Sequence, residues 1–224
     1  MPIPSESSTY TRKSAKEIVM DTVQDWIVTG VMKPGERIVD TELAKYFSVS
    51  RTPVREAIQA LAEQGFIDIV PSCGTTVSMI HFEDVRQCYE MIAEIQALAV
   101  RFAAERITAA DLKELKALNA RFEKAVKKQD TKAQTEADEE FHELFVNKAD
   151  NVYLSSYSHQ LQIRSLRVEN LFFSGDMGQE MSVQQHDSII KALENGNVAA
   201  AEEAMRENWM HTYRGVKEIL QKES

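Results

Sequence analysis

Between two short amphipathic segments, the three residues Ser48-Val49-Ser50 leave room only for a tight turn, and this spacing constrains the first third of the chain. Upstream, Thr41 to Phe47 turns Leu43, Ala44 and Phe47 to one side, with Asp40 available as a cap. Downstream, Arg51 to Gln64 repeats Val54, Ile58 and Leu61 at helical intervals, with Ser50 or Thr52 placed to cap. Pro53 suits the first turn, where the backbone N–H groups have no intrahelical acceptor. Ala15 to Thr29 forms a further helix with Val19, Val23, Trp26 and Ile27 on one face, ended by Gly30. Two β-branched runs, 66–70 and 75–79, flank Pro71-Ser72-Cys73-Gly74 as a hairpin. Helix, helix, tight turn, helix and hairpin together predict a winged helix-turn-helix over residues 15–80.

Arg51 and Arg55 stand in the first turns of the third helix, where the macrodipole disfavours cations. A partner resolves the misplacement, because free N–H groups and two guanidinium groups together match a phosphate chain and the guanine edge in a major groove. Surface arginines also commonly do no more than cover a solvated helix face; the full order of elements favours a DNA reader.

The net charge of −9 runs against affinity for a polyanion, so its distribution matters. Residues to Ile80 carry eight bases and ten acids, leaving −7 of the total on the remainder. The excess acid therefore lies away from the proposed DNA surface. No apolar run reaches the length of a membrane span, and the polar first fourteen residues read as a disordered arm without a secretory signal, so a cytoplasmic protein is expected. Cys73 and Cys88 lack metal-type spacing and are expected to be free thiols.

From Phe82 the pattern changes to six amphipathic segments, near 82–106, 109–129, 131–148, 151–173, 178–195 and 197–221. The chain is therefore expected to be mainly α, a winged helix-turn-helix followed by an all-α six-helix bundle over 81–221. Leu112, Leu115, Leu118, Phe122 and Val126 show the inward stripe, and Ser174 to Gln179 reads as the clearest loop. Asp138 and His142 are four apart, with His186 on another helix. That spacing puts a carboxylate and an imidazole on one face, as a metal site requires, although a helical Asp-His pair by itself is more often an exposed hydrogen-bonding pair.

The stretch from Met32 to Val77, MKPGERIVDTELAKYFSVSRTPVREAIQALAEQGFIDIVPSCGTTV, resembles the amino-terminal domain of the GntR family of bacterial transcription regulators. Asp138 to His142, Gln185-His186 and Ala204-Met205 resemble the FCD effector-binding domain of its FadR-type branch, and six helices suit the VanR-like subgroup. The resemblance implies a homodimer on a double-stranded operator, with DNA contacts from Arg51, Thr52, Arg55 and the wing-tip Gly74, and from Arg37 after the Pro-Gly turn. Thr41 stands where some relatives place arginine, and the wing offers Ser72 and Cys73 instead of a base.

Metal-containing relatives use an Asp and three His, which fall here on Asp138, His142, His186 and Asn208. A divalent ion such as Zn, Ni or Mn is implied, with Asn208 a harder and weaker ligand than imidazole. Where relatives often carry Arg and Glu on the first bundle helix, Ile92 and Gln96 stand here. A small-molecule effector, such as an organic acid, would then turn to Arg164 and Arg167, with Asn119 or Tyr157 adding hydrogen bonds. The implied function is a ligand-responsive regulator, usually a repressor. Two rivals are a metal-dependent hydrolase built on Asp138, His142 and His186, and a constitutive DNA-binding protein with no effector.

Overall fold

Ser14 opens the first helix with a capping box: its hydroxyl accepts from the Glu17 N–H, while the Glu17 carboxylate accepts from the Ser14 N–H. The computed structural model describes residues 13–71, 74–172 and 179–223. Ser14, expected at the end of a disordered arm, is thus part of an ordered helix start. Residues 1–12, Ser72 and Cys73 of the wing, and Ser174 to Gly178 of the expected loop lie outside the described residues. Gln179, also assigned to that loop, instead begins a helix.

Contacts divide the chain into two units, residues up to Met79 and residues from Ile80. In the first, α1 (Ala15–Val28), α2 (Asp40–Phe47) and α3 (Arg51–Glu63) enclose Val19, Val23, Ile27, Leu43, Val54, Ile58 and Leu61. Ser48 adopts a left-handed conformation after α2, and the Val49 N–H donates to the Ala44 carbonyl at 3.1 Å, closing the turn. The hairpin is β2 (Ile67–Val70) and β3 (Gly74–Val77), with Ile67 opposite Val77 and Val70 opposite Gly74. A strand not expected from the sequence, β1 (Arg37–Ile38), pairs antiparallel with the other edge of β3 and makes the sheet order β1-β3-β2. Two residues carry no readable alternation, so β1 is dictated by its ladder to β3.

Among the described residues, the second unit is six helices: α4 (Phe82–Ala104), α5 (Ala109–Lys128), α6 (Thr131–Ala149), α7 (Val152–Phe172), α8 (Gln179–Glu194) and α9 (Val198–Glu223). Thr108 and Asp111 form a capping box for α5, and the Asp130 side chain caps α6. α4 lies against α6, α7 and α9; α5 lies against α6 and α8; and α8 packs on α9. Tyr89, Ile92, Leu115, Phe141, Phe145, Ile189 and Met205 fill the interior. Among the described residues, no helix is long and apolar enough to cross a membrane.

Candidate functional site

At the start of α3, Arg51, Thr52 and Arg55 are all exposed. Ser50 occupies the N-cap position without a side-chain cap bond, and the first turn holds no acid. Neither Ser50 nor Thr52 caps as the sequence suggested, so the helix start keeps N–H groups available for an external anion. Asp40 does not act as the N-cap of α2 either, because Val39 takes that position and Asp40 lies in the first turn. The Asp40 carboxylate instead accepts from Arg51 Nη2 at 2.8 Å, and this bond holds its carboxyl below the usual carboxylate range. On the wing, Gly74 has φ +114°, and a Cβ built there would meet Arg37 Nε at 3.8 Å. Arg37 and Gly74 are therefore neighbours at one end of the sheet.

In the bundle, α6 presents Asp138 and His142, and α8 presents His186. One donor atom from each lies within 4.8 Å of the other two. Asp138 Oδ1 is 3.4 Å from His186 Nε2, and Asp138 Oδ2 is 3.8 Å from His142 Nε2. Both imidazoles are buried, which pulls His142 down to about 3 and His186 well below its ordinary value. A hydrogen bond to Asn208 partly opposes the shift of His142. The rings are neutral at physiological pH, the form that ligates metals. Burial, with added repulsion from Glu169 and Glu139, pushes Asp138 up to about 8. Its side chain keeps 36% exposure, directed at a cavity of about 110 Å³. Asn208, Trp209, Glu169, Gln162 and Ser165 are among the other lining residues.

The ring nitrogens of His186 are sharply divided. Nδ1 lies 3.1 Å from Asn119 Oδ1, while Nε2 is buried without a hydrogen-bond partner. Asn119 Oδ1 can only accept, so the proton sits on Nδ1 and the Nε2 lone pair faces Asp138. An orphaned, correctly oriented imidazole lone pair beside a carboxylate fits a divalent metal ion.

Two descriptions match the chain: "Bacterial regulatory proteins, gntR family" over residues 15–77 and "FCD domain" over residues 87–209. The HTH-type transcriptional regulator YdhC of Bacillus subtilis is 30% identical over 202 residues, covering 87% of this chain and 88% of its own. The HTH-type transcriptional repressor RspR of Escherichia coli K12 is 30% identical over 198 residues, covering 88% and 87%. The chain belongs to the GntR family. Escherichia coli McbR/YncC has the same fold, with a TM-score of 0.76 at 20% identity over 95% of this chain and all of its own.

As a GntR regulator with an FCD domain, the chain is a ligand-responsive DNA-binding transcription regulator and not an enzyme. The hydrolase reading of the Asp-His-His cluster fails on that finding. Within this FCD domain the expected effector residues are differently placed. The α7 face toward the cavity is Gln162, Ser165, Leu166 and Glu169. Arg164 and Tyr157 are exposed elsewhere on that helix, and Arg167 is buried but does not line the cavity. Asn119 stands behind His186, with its amide Nδ2 donating to Asp187 Oδ1 at 2.9 Å and to the Val183 carbonyl at 3.0 Å. Among the described lining residues are Asp138, Glu139 and Glu169 but no Lys or Arg. This lining offers no cation to an organic acid.

Sequence reasoning missed Glu169 as a site residue and did not assign the roles that Gln185 and Asn119 take. Glu169 accepts from the Tyr89 hydroxyl at 2.8 Å, and burial raises it to about 7. Gln185 Oε1 accepts from Asn208 Nδ2 at 3.1 Å. The third, Asn119 as the orienting partner of His186, lies 67 residues from it in the chain. No periodic signal links residues so far apart; only the adjacency of Gln185 to His186 hinted at a shared role.

Proposed function

We propose that the chain acts as a homodimeric repressor. Its FCD domain holds a divalent ion through Asp138, His142, His186 and Asn208, and a small metabolite enters the adjoining cavity. The buried, unpartnered His186 Nε2 facing Asp138 carries this reading. A metal would supply the missing partner and fix α6, α8 and α9 relative to one another. Ion and metabolite regulate only if they bind one dimer arrangement better than the other, because equal affinity shifts no population. The repressor sign is supported by the name of RspR.

On DNA, Arg51, Thr52 and Arg55 would contact one half of a pseudo-palindrome, with Arg37 and Gly74 approaching the backbone from the wing. The test uses duplexes selected from a random pool by the purified protein and measures affinity by fluorescence anisotropy. Arg51→Ala with Arg55→Ala is expected to abolish selected-duplex binding. Chelation by EDTA is expected to change the affinity of the unmodified protein. Undiminished binding by the double variant would remove the α3 reading, and indifference to EDTA would remove the role of the metal.

A further inference from the structure

We infer that Asn208 turns this metal site toward hard, six-coordinate divalent cations of the Mn2+ type and away from Zn2+. The inference rests on the metal reading above and adds which ion the site selects. Two features of this chain carry it.

The first is the donor at Asn208 itself. The side chain is buried at 4% exposure and lines the same cavity as Asp138 and His142. Its Nδ2 is taken by Gln185 Oε1, so the amide is anchored in one orientation with its carbonyl oxygen turned to His142, where their hydrogen bond would give way to an ion shared by both groups. Asp138 and Asn208 then give two oxygens against the two imidazole nitrogens of His142 and His186. Carbonyl and carboxylate oxygens suit hard ions, while tetrahedral zinc favours nitrogen and sulfur.

The second is what borders the site. The cavity adds Gln134, Thr135, Gln162, Ser165, Ser182 and Thr212, hydroxyls and amides that hold water well. Two protein oxygens and two imidazoles leave two positions of an octahedron for water or an effector atom on that side. A closed four-coordinate site has no use for such a lining.

The test uses the full chain, stripped with EDTA and dialysed, with Mn2+ and Zn2+ added separately and affinities read by competition with a metal-sensitive dye. Asn208→His is expected to raise the Zn2+ to Mn2+ affinity ratio at least about tenfold. Asn208→Ala is expected to lower Mn2+ affinity with little change for Zn2+, and Gln185→Ala to weaken Mn2+ in the same direction. Circular dichroism confirms that each variant keeps its helices, and the Ala variants carry the test if Asn208→His does not fold. A ratio unchanged in Asn208→His, or Mn2+ affinity unchanged in Asn208→Ala, overturns the inference while leaving the metal site standing. If the unmodified chain binds neither ion, or His142→Ala binds both as well as it does, the metal reading fails and takes the inference with it.

Discussion

Asn119 Oδ1 accepts the Nδ1 proton of His186 at 3.1 Å, and the same amide donates back to α8 through Asp187 and the Val183 carbonyl. One side chain of α5 therefore sets the tautomer of a residue on α8 and ties one edge of its ring to that helix. Asn119→Ala is expected to weaken divalent-metal affinity by about 10- to 100-fold, the usual effect of deleting an outer partner of a ligating histidine. It leaves a buried N–H unpaired, at a cost of about 1–3 kcal/mol. Metal titration alongside urea unfolding separates the two effects. Full affinity in a destabilised variant would show that Asn119 only supports packing.

Metal affinity is expected to rise with pH between 6 and 8. Asp138 ionises only at about 8, and an ion needs the carboxylate, so binding releases a proton. The dependence is at most about tenfold per pH unit for one proton. Burial is the largest cause of the raised value and the charge of Glu169 the next. Glu169→Gln therefore moves the rise to lower pH without removing it.

For the metal-free protein the signs differ. Asp138 and Glu169, raised to about 8 and about 7, hold protons that the unfolded chain has lost, so their contribution to stability falls as pH climbs from about 4 to 8. His142 and His186 are depressed, so the unfolded chain gains protons first, and stability falls as pH drops below about 6.5. The two trends oppose between about 4.5 and 6.5, and above 6.5 the carboxyls act alone. Unfolding midpoints measured from pH 6.5 to 8 should thus decline without metal and decline less with it. A rise across that window without metal would contradict the burial of these carboxyls.

The boundaries of α5 and α6 were legible because each carries an apolar stripe and a chemical stop: the expected 109–129 and 131–148 became Ala109–Lys128 and Thr131–Ala149, bracketed by Thr108, Gln129 and Asp130. The Asp138, His142 and His186 cluster was visible as spacing on α6, although its closure with α8 is a matter of packing. The face of α7 was not legible. That helix mixes Gln, Ser, His and Arg around its circumference, so no stripe announces that Gln162, Ser165 and Glu169 turn inward while Arg164 turns out. Anion-binding arginines were an expectation from charge alone, and rotation about the helix axis defeated it.

The Arg51 to Asp40 ion pair spans the helix-turn-helix and keeps a carboxylate beside the helix start proposed to meet phosphate. Asp40→Ala frees Arg51 and removes that negative charge. Affinity for non-selected duplex is expected to rise about two- to fivefold at low salt, matching the worth of a partly exposed ion pair. The salt dependence should steepen as Arg51 gains a phosphate. Loss of an acid from the first turn of α2 costs about 0.3–1 kcal/mol of stability. Titrations at two salt concentrations check both signs, and weaker binding at low salt would mean that Asp40 positions Arg51 for DNA.

Phe141 stacks on His186 with ring centroids 3.9 Å apart and planes 16° from parallel, and it is fully buried. It meets the His142 ring edge-on at 5.6 Å and Phe145 at 5.5 Å. The residue between Glu140 and His142 therefore joins the Asp138, His142 and His186 cluster to the bundle core. Phe141→Ala should cost about 3–5 kcal/mol through the cavity it leaves. Phe141→Leu conserves most of the volume and should cost under about 1.5 kcal/mol. Both lose the flat surface that holds the His186 ring, so Phe141→Leu separates the two roles. Metal affinity is expected to fall in the leucine variant although the fold survives, with Asn119 still setting the tautomer but the ring plane no longer held. If Phe141→Leu binds metal as tightly as the unmodified chain, the Asn119 bond alone orients His186 and the stack contributes only packing.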